Sequence, residues 1–149
     1  MNSAFQSLRA TQLSRSLTSF QSAKTVSRPA KGWIHAIRQA TGLSAGEVAR
    51  SLGVSRQLPL QLEKAESEDK ITLASLRKMA DALDCELVYA LVPKSGTVSQ
   101  LREQRARRQA RKTVLETQHS MALEDQAIGD IEQAVEAETQ RILARTAAK

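Results

Sequence analysis

The chain has 149 residues, of which 41% are hydrophobic, enough for one ordinary domain with extensions or for two very small ones. No run of about 18 apolar residues occurs, so no membrane-spanning helix is expected. Aromatics at 3% argue against a stacking platform for single-stranded nucleic acid, and one cysteine, Cys85, excludes an internal disulfide and a cysteine-based zinc site. The net charge of +6 is compatible with a nucleic-acid partner without requiring one. With no apolar leader at the start, a cytoplasmic location is expected.

The charge is unevenly spread. Residues 1–30 hold four basic residues and no acid. Residues 31–94 and 95–149 each hold nine basic and eight acidic residues. Within the last segment, six basic residues crowd between Arg102 and Lys112, and from Thr113 onward acids outnumber bases seven to three. The basic part suits phosphate; the acidic part suits a protein neighbour.

In chain order, residues 1–28 are rich in Ser, Gln and Thr, with Leu8, Leu13, Leu17 and Phe20 at helical spacing, and read as an N-terminal extension. Pro29 and Gly32 mark a boundary. A helix is expected from Trp33, with Trp33, Ile34 and Ile37 facing a core and Gly42 ending it. Ser44 and Glu47 have the spacing of a capping box, Val48, Ala49 and Leu52 face inward, and Gly53 stands where a helix end needs positive φ. Ser55 is placed to cap a second helix over 56–64. Two short helices joined by a glycine-containing turn make a helix-turn-helix. Pro59 falls inside the second helix, where it is expected to remove the bond to the Ser55 carbonyl and to loosen the first turn.

Thr72 is expected to cap a further helix ending near Leu83, with Leu73, Leu76, Ala80 and Leu83 on one face and Met79 beside them. Residues 86–92 are β-favouring and read as a short strand. A lone strand needs a partner, either elsewhere in the chain or in a second copy, and the second option makes Leu87, Val88, Tyr89, Ala90 and Leu91 a dimer strand. Residues 95–149 read as a helical extension, with helices over 99–118 and 122–144. The fold class expected is mainly α, a helix-turn-helix domain over 29–94 with one short β-strand and a helical C-terminal extension. His35 and His119 are far apart, no nucleotide-binding glycine loop occurs, and no nucleophile or carboxylate set suggests catalysis. No enzyme activity, metal or cofactor is expected.

Leu43, Ser44, Glu47, Val48, Ala49, Gly53, Val54, Ser55, Leu62 and Glu63 together resemble the Cro/repressor-type (XRE-like) helix-turn-helix family, whose fold is lambda-repressor-like. Gly32 to Arg38, Leu62 to Glu66, Leu83 to Pro93 and Met121 to Gln126 resemble a narrower group, mobile mystery protein A, whose members are typically encoded beside a Fic-domain protein. The resemblance implies a homodimeric, sequence-specific regulator of double-stranded DNA that represses its own operon. It implies that the helix after Ser55 enters the major groove, with Arg56, Gln57, Leu60 and Gln61 as base-contact residues. It also implies that Arg38 pairs with Glu63. An arginine fork suits guanine, glutamine suits adenine, and Leu60 suits a thymine methyl. Ser44 and Ser55 are candidate phosphate contacts at helix starts, and Arg102, Arg105 and Arg108 are candidates in the basic cluster. The alternative is an antitoxin-like protein that holds a Fic-domain partner through Leu123, Ile131 and Val135. Pro59 and Leu60 depart from the family's usual residues, which leaves a structural adaptor without DNA binding as a third reading.

Overall fold

A computed structural model describes residues 3–123 and 130–145. Among them are seven α-helices: α1 (Ser3–Leu17), α2 (Trp33–Thr41), α3 (Ala45–Leu52), α4 (Gln57–Ser67), α5 (Leu73–Ala82), α6 (Val98–Leu123) and α7 (Ile131–Arg145). The chain folds as two compact units, one spanning Lys24–Ala90 and the other formed by the segments on either side of it.

The central unit contains α2 to α5. Its core is Ile34, Val48, Met79 and Leu83, flanked by Ile37, Leu43, Leu52, Leu62 and Leu76. Met79 is fully buried, and burying a side chain of that size contributes roughly 1.5–3 kcal/mol. Ala49 is buried as well, and its small side chain lets helices approach closely.

The four helices end in the same way. Gly42, Gly53, Asp69 and Asp84 all have positive φ, at 72°, 67°, 57° and 53°. The following amide reaches back five residues each time: Leu43 to Arg38, Val54 to Ala49, Lys70 to Ala65 and Cys85 to Ala80. That bond satisfies a carbonyl the helix would otherwise leave open. Glycine signals the first two ends in the sequence. Aspartate, which tolerates the left-handed region better than most residues, closes the other two without a glycine to mark them.

The strand expected over 86–92 is absent, and no residue described lies in a β-strand. Leu87, Val88, Tyr89, Ala90 and Leu91 form an irregular stretch after the Asp84 turn. Val88, Tyr89 and Leu91 are exposed at 64%, 59% and 90%. β-propensity describes a fit to a pleated, half-buried surface, and without a second strand to supply that surface no ladder forms. Trp33 also departs from expectation: it is 45% exposed. It lines a shallow groove of about 270 Å³ with Ile37, Leu76, Leu83, Leu87 and Val88. Leu73, expected inside, is 46% exposed.

In the second unit α6 and α7 run antiparallel, early residues of α6 meeting late residues of α7. Ala106, Ala110, Val114, Val135 and Ile142 form its core, with Ile131, Ala134 and Leu143 packed against it. α1 packs on both helices and buries Ala10. Thr139 is buried too, its hydroxyl donating to the Val135 carbonyl at 2.7 Å. Val135 and Ile131, expected to face a partner, belong to this internal packing, because the apolar stripe of α7 is used against α6. The Leu123 side chain lies outside the described residues, as does the stretch 124–129 at the start of the helix expected over 122–144.

Candidate nucleic-acid interface

α3, the turn at Gly53 and α4 form the proposed reading element. α3 begins with the capping box: Glu47 N donates to Ser44 Oγ at 3.2 Å, and Ser44 N donates to Glu47 Oε2 at 2.7 Å. These bonds, backbone first, hold the Glu47 carboxyl below the usual carboxylate range.

α4 starts one residue later than the sequence suggests. Arg56 occupies the cap position and no side chain caps the helix, so Ser55 does not act as the cap. Leu58 N donates to the Ser55 carbonyl at 3.1 Å, the acceptor that Pro59 was expected to leave open. Pro59 is the third residue of α4, among the first-turn positions whose amides have no partner within a helix. It removes no bond there, and its ring is fully buried.

Counting 100° per residue from Gln57 places Gln57, Leu60, Gln61 and Lys64 on one face of α4. All four are exposed, whereas Pro59, Glu63 and Glu66 on the opposite side are buried. Lys64 was not among the candidates from sequence, yet its spacing, seven residues from Gln57 and three from Gln61, places it with them. Arg56 is exposed but not on that face. A methyl group on Gly46 would lie 4.0 Å from Arg56 Cδ and 3.8 Å from Ser44 Oγ, so the arginine stem lies over the start of α3 beside Ser44.

The buried side of α4 is locked to α2 by charge. Arg38 donates to both oxygens of Glu63, at 2.5 Å and 3.1 Å, and to the Leu43 carbonyl at 3.1 Å. His35 Nδ1 lies 2.9 Å from Glu63 Oε2. Burial pushes the Glu63 carboxyl up, but the bonds from Arg38 and His35 outweigh it and hold the group below the usual carboxylate range. The bond to Glu63 raises the Arg38 guanidinium in turn.

A second buried carboxylate was missed from sequence. Glu66 accepts from Trp33 N at 2.8 Å and from Ile34 N at 2.9 Å, so α4 caps the start of α2. Gly32 permits this: its φ is 88°, and a Cβ there would sit 2.6 Å from Glu66 Oε2. Arg28 donates to the Glu66 and Ser67 carbonyls and pairs with Asp69, closing the far end of α4.

A family model described as helix-turn-helix matches residues 34–89. No curated protein and no solved structure matches the chain. Residues 34–89 are an XRE-like helix-turn-helix domain. The helix-turn-helix domain is a non-catalytic DNA-binding module, and the chain is a sequence-specific DNA-binding regulator. Among the described residues no cluster of His, Cys, Asp and Glu suits a metal ion, and no helix is long and apolar enough to cross a membrane.

Proposed function

We propose that this regulator represses its own gene in the cytoplasm by laying α4 in the major groove of an operator. The observation that carries this reading is the single exposed face of Gln57, Leu60, Gln61 and Lys64, backed by the buried carboxylates that fix α4 to α2. Gln57 and Gln61 suit adenine edges, Leu60 a thymine methyl, and Lys64 a phosphate. Arg56, over the start of α3 with Ser44, reaches either the outermost base pair or the adjoining backbone. Ser55 is exposed at the turn and free of a capping role, which suits a backbone contact.

A near-palindromic operator requires a homodimer, with half-sites about one helical turn apart. Val88, Tyr89 and the open groove beside Trp33 offer apolar surface for a second copy. The narrower resemblance adds a second reading, an antitoxin-like protein that restrains a Fic-domain partner. With Val135 and Ile131 engaged internally, Leu115 at 47% exposure on α6 is a surface such a partner would use.

Footprinting on the region upstream of its own gene tests the first reading. A protected two-fold site is expected, and Gln57→Ala should relax preference at one base pair per half-site, at about 1–3 kcal/mol of discrimination. An unchanged preference would remove Gln57 from the readers. Binding without sequence preference would remove the operator. Copurification with a neighbour-encoded Fic-domain protein, lost in Leu115→Glu, would support the second reading.

A further inference from the structure

The six cations between Arg102 and Lys112 fall into two sets. Arg102 donates to the Leu143 carbonyl at 3.2 Å. Arg107 pairs with Glu132 at 3.1 Å and Glu136 at 3.8 Å, and Arg111 pairs with Glu132 at 3.3 Å. These three tie α6 to α7. Arg102, a phosphate candidate from sequence, is half-buried and serves as a helix brace. Arg105, Arg108 and Lys112 are exposed, and among the described residues the one acid paired with any of them is Glu116, 3.9 Å from Lys112.

Their spacing of three and four residues confines them to an arc of about 60° on the helix. That arc lies opposite the buried stripe of Ala106, Ala110 and Val114. Like charges at these spacings repel, so the row does not help the helix to form. It is about 10 Å long at 1.5 Å per residue, a distance over which duplex DNA presents about six phosphate charges.

We infer that Arg105, Arg108 and Lys112 form a second, sequence-independent contact to the phosphate backbone of duplex DNA. The inference rests on the DNA-reading role of α4 proposed above. Once α4 holds the duplex, the tether between the units keeps DNA at high local concentration around this row, so a contact too weak to act alone adds to the whole. The row carries no groups aimed at base edges; it raises affinity on any sequence.

The test uses the full chain with Arg105, Arg108 and Lys112 all replaced by Gln. Binding to the operator and to an unrelated duplex is followed by fluorescence anisotropy across a salt series. Loss of three phosphate contacts should flatten the log–log salt slope by about 2–3. Affinity for both duplexes should fall by the same factor, on the order of tenfold or more, with the ratio between them and the melting curve unchanged. An unaltered salt slope with operator preference intact would overturn the second contact while leaving α4 as the reader, and would point to an acidic protein surface instead. A wild-type chain without operator preference would overturn the α4 reading, yet the slope difference on unrelated DNA would still report on the row.

Discussion

The two units hold their helices in place by different means. In the central unit the helices are short, eight to eleven residues, and much of what fixes them sits at their ends. Left-handed residues close four C-termini, and buried carboxylates from α4 reach the α2 backbone and side chains. In the other unit α6 runs for 26 residues, and its packing against α7 depends on small side chains along the shared stripe, with ion pairs at the rim. Short helices have most of their backbone groups near an end, so end chemistry governs them. Long helices have few, so the periodic stripe governs them.

The largest effect should come from breaking the buried pair in the central unit. Glu63→Ala leaves Arg38 buried without its carboxylate and should cost about 3–5 kcal/mol in urea unfolding at neutral pH. Replacing Arg38 with Met in the same chain should recover much of that loss, because both charges are then gone. The pair also sets a pH signature. The folded Glu63 group lies below its unfolded value of about 4.3, so the unfolded chain takes up its proton first as pH falls. Its contribution is complete above about pH 4.3 and is lost as pH drops through the folded value. Glu63→Gln should remove that part of the acid unfolding limb; an acid limb identical to wild type would show that the charge on Glu63 does not matter.

A smaller effect, located elsewhere, should follow from overfilling the long-helix unit. Ala110 is fully buried, and Ala110→Leu should cost about 2 kcal/mol by forcing α6 and α7 apart. Hydrogen exchange would localise the damage. Amides in 98–118 and 131–145 should lose protection while those in 33–85 keep theirs. Equal loss across both regions would mean that the units unfold as one and that the contrast between them has no thermodynamic meaning.

What the sequence disclosed follows the same division. Ser44 with Glu47, Gly53 and Thr72 are signals read over three or four residues, and the structure places a cap or a helix end at each. Gln57, Leu60 and Gln61 on the exposed face of α4 were legible through the family resemblance, and helix geometry adds Lys64 to them. The carboxylate of Glu66 was not legible, since it acts on amides 32 and 33 residues away. The turns at Asp69 and Asp84 lacked a glycine, and the second of them ends α5 where a strand was expected to begin. The α6–α7 core escaped notice because two of its five buried members are alanines, which barely raise the apolar period. Arginines that look alike in the sequence are divided by the position of α7, which no spacing along α6 reveals.

The smallest effect has the most informative sign. If Pro59 broke the first turn of α4, Pro59→Ala would restore a bond and stabilise the domain. In the structure Leu58 already donates to the Ser55 carbonyl, and the third helical position has no bond to lose. The ring is buried, so the substitution exposes a void of about two methylenes and frees the unfolded chain, each effect worth several tenths of a kcal/mol or more. Pro59→Ala should therefore destabilise by about 1–2 kcal/mol, with operator preference preserved because the exposed face of α4 is untouched. A gain in stability would mean that the proline strains the entry to α4, and that a residue at the start of this helix limits how well the exposed face proposed for base contact is held.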